Sequence, residues 1–130
     1  MRWTIAVAAL LASSPLAAEG VAIDSAVYRE SAGADGARQV APASRLLRGD
    51  RVVTILRWDA PRGARYTAVS PVPAGLTIES ASQAGLEISI DGGRSWRPLD
   101  DPDAVPPGTT HLRWRIDGGE GRLSYRAVVR

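Results

Sequence analysis

Apolar and polar residues alternate along most of this chain with a period of two, and glycine- or proline-rich turns break the alternation into short runs. Such a pattern predicts half-buried strands. Val52, Thr54, Leu56 and Trp58 share one face of the run from Arg51 to Trp58, while Val53 and Ile55 load the other, as expected for a central strand. Leu86, Ile88 and Ile90 alternate with Glu87, Ser89 and Asp91. Leu112, Trp114 and Ile116 are expected to point inward and His111, Arg113 and Arg115 to face water; Leu123, Tyr125, Ala127 and Val129 continue the alternation to the end of the chain. Shorter extended runs are expected over Val21–Tyr28, Arg38–Val40, Arg65–Ser70 and Leu76, Ile78 and Ser80. No helix-period stretch competes.

The punctuation is equally specific. Asp35-Gly36 marks a hairpin tip, Pro71 stops a strand because it lacks a ladder donor, and Val72-Pro73-Ala74-Gly75 suits a type I turn. Asp91-Gly92-Gly93 offers the positive backbone angles of a tight hairpin. Pro107-Gly108 suits the middle of a type II turn, and Asp117-Gly118-Gly119 turns the chain once more. Seven to eight short strands at this spacing predict an all-β, antiparallel, immunoglobulin-like β-sandwich over residues 19–130.

The first eighteen residues read differently. Met1-Arg2 gives a positive start, Ile5 to Ala12 an apolar run, and Ser13-Ser14-Pro15-Leu16-Ala17-Ala18 a small-residue exit, so 1–18 is expected to be a secretory signal peptide, with Ser14 as an alternative cleavage point. The apolar run is well short of the ~20 residues that span a bilayer. Export with release is the expectation, to the periplasm or the exterior.

Composition narrows the chemistry. There is no cysteine, which removes thiol, disulfide and thiolate–metal mechanisms. All sixteen basic residues are arginine, so lysine Schiff bases and lysine cross-links are closed as well. The net charge of +2, which becomes +1 when Arg2 leaves, is too small to point to nucleic acid. His111 is the single histidine and nothing resembles a nucleophile elbow, so no catalytic residue, no zinc site and no cofactor are expected.

Four local motifs carry chemistry. Ser89-Ile90-Asp91-Gly92-Gly93-Arg94-Ser95-Trp96 is similar to the Asp-box hairpin, in which the aspartate ties loop amides together and the tryptophan packs beneath; Ser89, Asp91, Gly93 and Trp96 are its structural positions. Arg48-Gly49-Asp50 spells an integrin-type tripeptide but reads more simply as a turn leading into a strand. Asp100, Asp101 and Asp103 are a calcium candidate weighed against a solvated loop; calcium takes 6–8 oxygens and Pro102 interrupts the spacing, so the loop reading is preferred. Arg113, Arg115, Arg122 and Arg126 are expected to form a basic stripe across two neighbouring strands, fit for anionic polysaccharide or headgroups.

The ordered segments G-D-R-V-V, P-V-P-A-G-L-T-I, I-S-I-D-G-G-R-S-W, T-H-L-R-W and G-R-L-S-Y-R-A-V-V resemble the bacterial conserved-repeat family, the domain of unknown function numbered eleven, most strongly over 45–130. Arg48, Asp59 and Ser70 depart from its usual residues. The resemblance implies an exported immunoglobulin-like sandwich without catalytic residues. The expected function is therefore a non-catalytic interaction or structural module of the cell envelope, binding an envelope protein or polysaccharide. The alternative is a carbohydrate-binding domain that stacks sugars on exposed aromatic residues, Trp or Tyr, and the placement of Trp58, Trp96 and Trp114 separates the two.

Overall fold

In the computed structural model, the described residues are 21–32, 38–42 and 45–130; the expected signal peptide and the hairpin tip at Asp35-Gly36 lie outside them. Among these residues there is no helix. The strands are β1 (Ile23–Ala32), β2 (Arg38–Pro42), β3 (Arg51–Ala60), β4 (Tyr66–Pro71), β5 (Leu76–Ala81), β6 (Glu87–Ser89), β7 (Arg97–Pro98), β8 (His111–Ile116) and β9 (Gly119–Val129). They form two antiparallel sheets, one ordered β2-β1-β3-β9-β5 and the other β4-β8-β6-β7. The all-β, two-sheet architecture is the one the alternation predicts. Nine strands stand among the described residues where seven to eight are expected, and the return arm of the hairpin after Asp91-Gly92-Gly93 is the two-residue β7.

The core forms where the two alternating patterns meet. Val52, Thr54 and Leu56 of β3 stand opposite Ala127, Tyr125 and Leu123 of β9, and all six are buried. Leu86, Ile88, Leu112, Trp114 and Ile116 close over them from the second sheet, all buried. Each fully buried large side chain contributes about 1.5–3 kcal/mol relative to exposure, which lets the core do without a disulfide. Trp58 leans on Trp114 across the layers, ring centroids 5.7 Å apart and tilted by 42°. Gly121, opposite Trp58 in register, makes room for that ring: a Cβ there would lie 2.6 Å from the indole.

Three expectations are corrected by local geometry. Ile90 does not continue the inward face of Leu86 and Ile88; it is 52% exposed, because β6 ends at Ser89 and the following loop folds back on the Asp91 carboxylate. In β5 a bulge between Ile78 and Ser80 shifts the phase by one residue, so Ala81 takes the buried position and Ser80 is only half-buried. The proline turns also move. Leu76 N–H donates to Pro73 C=O at 2.9 Å, placing that turn one residue later than expected, since Val72 N–H is held by Thr110 C=O at 2.8 Å. Gly108 does not have the positive φ that a type II turn requires, although Thr109 N–H does donate to Pro106 C=O at 3.1 Å.

A row of hydroxyls crosses the inner face of the larger sheet. Thr54 Oγ1, Ser25 Oγ and Tyr125 Oη are buried without a hydrogen-bond partner of good geometry. Burial pushes the Tyr125 phenol up to about 12, with the nearby Thr54 hydroxyl pulling slightly the other way. An unsatisfied buried polar group costs about 1–3 kcal/mol. Replacing Thr54 by valine keeps the shape and removes the orphan, so Thr54→Val is expected to raise stability by about 1 kcal/mol in urea denaturation. A loss of stability would mean that the hydroxyl is bonded after all.

Candidate functional site

The β6–β7 hairpin concentrates the local chemistry of the molecule. β6 and β7 pair through Glu87–Pro98 and Ile88–Arg97, and the loop between them is organised on one carboxylate. Asp91 Oδ1 accepts from Ser89 Oγ at 2.7 Å, from Ser95 N at 2.9 Å and from Arg94 N at 3.1 Å. Its Oδ2 accepts from Ser95 Oγ at 2.6 Å. Ser89 Oγ in turn accepts from Gly93 N at 2.8 Å. Glycine at position 93 is required by its φ of 91°; a Cβ would meet only the Trp96 ring, at an ordinary 3.8 Å. The four expected positions Ser89, Asp91, Gly93 and Trp96 are thus brought together as a structural loop.

The donors around Asp91 stabilise its charged form. The Ser95 hydroxyl, then the Ser89 hydroxyl and the Ser95 and Arg94 amides, lower its pKa from the ordinary 3.8 to about 2. A depressed carboxylate contributes stability above the unfolded-state value and loses it as pH falls through the folded-state value. Asp91→Asn is therefore expected to lower Tm at pH 7 and to flatten the Tm profile between about pH 4 and pH 2. A variant whose profile matches that of the parent would remove Asp91 from the stabilising network.

Beside this loop, the outer face of the smaller sheet carries a second linked cluster. Arg113 forks onto Glu87, Nε to Oε1 and Nη2 to Oε2, both at 3.0 Å. The same guanidinium lies 4.4 Å over the Trp96 ring, a cation–π contact. The hydrogen bond from Arg113 holds the Glu87 carboxyl below the usual range against the opposing effect of burial. His111 meets the edge of Trp96 at 6.4 Å, and its Nδ1 lies 2.9 Å from Thr110 Oγ1. The single Thr110 hydroxyl proton is directed to Ser89 C=O at 3.2 Å, so the network assigns the proton of that pair to His111 Nδ1. His111 is half-buried, rather than simply exposed on its strand.

Other sequence candidates separate. Arg48-Gly49-Asp50 is stitched to the end of β9: Gly49 N donates to Val129 O at 2.7 Å and Val129 N to Asp50 O at 2.9 Å. Asp50 Oδ2 also accepts from Leu47 N at 2.9 Å, the turn role expected of it. Asp100, Asp101 and Asp103 are exposed, and Asp101 Oδ1 accepts from Asp103 N at 2.9 Å. No group of three or more histidine or acidic side chains gathers into a metal-holding arrangement among the described residues.

The basic stripe does not form. β8 and β9 belong to different sheets, so Arg113 and Arg115 lie on one outer face of the sandwich and Arg122 and Arg126 on the other. Asp117-Gly118-Gly119 is a crossover between layers.

Sequence reading missed what does assemble on the larger sheet. Asp24, Arg57 and Arg122 align across β1, β3 and β9, with Asp59 opposite Glu120 in the next pair. Two open depressions of about 340 and 290 Å³ lie between these side chains. The β1–β3 pairing and the β3–β9 pairing, the latter joining Arg57 and Arg122 across 65 residues of sequence, together create this grid.

The tryptophans do not form a shared platform: Trp58 is half-buried and lines both depressions on the larger sheet, whereas the half-buried Trp96 belongs to the smaller sheet's hairpin. Trp114 is buried, Trp58 packs against it, and the Trp96 ring is covered by Arg113. No family model, no curated protein and no solved structure matches the chain. No helix among the described residues is long and apolar enough to cross a membrane.

Proposed function

We propose that the protein is an exported, non-catalytic immunoglobulin-like module of the bacterial cell envelope, of the conserved-repeat kind, that binds an envelope protein through its sheet surfaces. The observation that carries this reading is the commitment of its chemistry-bearing groups to structure. The Asp91 carboxylate is saturated by loop donors, Glu87 and Arg113 neutralise each other, and His111 is engaged with Thr110. What the molecule presents to solvent instead is an outer sheet face with half-buried Val53 and Ile55 at its centre, bordered by the Asp24–Arg57–Arg122 row. A half-buried apolar centre with a charged rim is the anatomy of a binding surface. The separation of the two half-buried tryptophans, Trp58 on the larger sheet and Trp96 beside the smaller one, supports this reading over sugar stacking on a paired platform.

The test has two arms. Mass spectrometry of the protein recovered from the envelope fraction should show a mature chain beginning at Glu19; an intact Met1 start in the cytoplasm would remove export. Immobilised protein should bind a purified envelope fraction in a protease-sensitive manner, and Ile55→Glu should abolish binding while leaving the near-ultraviolet circular dichroism unchanged. Binding that survives protease and is competed by purified polysaccharide would replace the protein-binding reading with the carbohydrate-binding one.

A further inference from the structure

We propose that β4 is a pairing edge for a second copy of this chain, joining two four-stranded sheets into one continuous sheet across a two-fold axis at Ala68. A sandwich exposes four edge strands, here β2, β5, β4 and β7, and unprotected edges recruit other strands. Three of them are blunted. β7 is two residues long and contains Pro98. β5 is covered by the 102–105 loop, with Ala81 N donating to Pro102 O at 2.7 Å and Val105 N to Glu79 O at 2.9 Å. β2 carries a charged residue, Arg38, within its five residues and ends in Pro42.

β4 also ends in a proline, Pro71, but along Tyr66-Thr67-Ala68-Val69-Ser70 it carries no charge and no proline, and no loop among the described residues bonds over it. Its hydrogen-bonding phase follows from its register. Pro71 stands opposite His111, which places Val72 opposite Thr110, and Val72 N donates to Thr110 O at 2.8 Å. Antiparallel ladders alternate bonded and non-bonded pairs. Ser70, Ala68 and Tyr66 therefore bond toward β8, while Thr67, Val69 and Pro71 direct their backbone groups outward. The lone proline of the strand occupies an outward position, where its missing N–H costs the β8 ladder nothing. Among the described residues, no backbone or side-chain group bonds to the outward groups of Thr67 and Val69.

A second copy fits this strip. Antiparallel pairing centred on Ala68 sets Thr67 against Val69 of the other copy and Val69 against Thr67, so the outward groups of each strand answer those of the other. Pro71, which can only accept, then falls opposite Arg65, whose amide can donate. Side chains agree with the register: Thr67 lies beside Val69, Ala68 beside Ala68, and no like charges stand directly opposite one another, a pairing that would be destabilising. One short strand edge of six residues is a small contact beside the ~1,200 Å² or more that stable interfaces bury. The dimer is accordingly expected to half-associate at roughly 0.1 mM rather than at nanomolar concentration.

Sedimentation velocity of the purified protein from about 10 µM to about 1 mM brackets that range. The expected result is a dimer fraction that rises past half within the series. Val69→Pro removes an outward amide without touching the β8 ladder and is expected to weaken association at least about tenfold. Val69→Lys, which places the charge that natural edges use against pairing, is expected to do the same and covers the case in which the proline variant does not fold. A monomer at every concentration would overturn the proposal. So would a dimer undiminished in both variants, since the contact would then lie elsewhere on the molecule. Neither outcome bears on export or on binding of an envelope protein.

Discussion

Trp114→Ala is expected to destabilise the protein by about 3–5 kcal/mol, the range for removing a buried aromatic ring from a core. Trp114 is only 4% exposed and provides the inner contact for Trp58 at 5.7 Å. Its Nε1 is buried without a partner, so the loss of that orphan donor offsets part of the cost and places the result near the low end. Trp114→Phe separates the two contributions: it keeps most of the packing and is expected to cost about 1–2 kcal/mol. Urea denaturation followed by circular dichroism measures both. The emission of Trp58 should shift to the red in the alanine variant, as its ring loses cover. A cost below about 1 kcal/mol for Trp114→Ala would be that of a surface residue and would place the ring outside the core.

Gly118→Ala is expected to cost about 3 kcal/mol or more, from two sources that add. The φ of Gly118 is 94°, in a region that costs an ordinary L-residue roughly 1–2 kcal/mol. A Cβ there would also lie 2.7 Å from Pro61 O and 3.1 Å from Arg62 Cα. Both are backbone atoms, so a side chain cannot swing aside to relieve the clash. Gly119 provides the control, because its φ of 77° is similar but the space around it is open. Gly119→Ala should therefore show the conformational cost alone, about 1 kcal/mol. Equal thermal shifts for the two variants would mean that the 61–63 loop does not pack against the crossover.

The elements that sequence reading located best are those governed by local alternation. Leu112, Trp114 and Ile116, and Leu123, Tyr125, Ala127 and Val129, are all buried as their period of two requires. The Asp-box loop was legible for the same reason, since the bonds to Asp91 span at most four residues. The misread features depend on partners distant in sequence. A glycine pair after a strand signals a turn, but whether the chain returns beside β8 or crosses to the other sheet is set by distant partners, here β3 and β5, between which β9 pairs. The imagined arginine stripe failed on that one choice. Glu87 and Arg113 are 26 residues apart and meet only because β6 and β8 align. In β5 the bulge at Glu79 coincides with its C=O being taken by Val105 N, a contact made by a loop rather than by any neighbour in sequence.

Backbone contacts between strands in solution, measured by nuclear Overhauser effects, test the two-layer arrangement most directly. The account predicts cross-strand contacts between Thr54 and Tyr125 and between Leu56 and Leu123, and between Ala68 and Trp114, with none between Arg113 and Arg122. Contacts running up a ladder from Ile116 and Gly119 to Arg113 and Arg122 would show β8 and β9 paired as a hairpin in one sheet. That result would contradict the sandwich, the opposed outer faces and the open edge at β4 together.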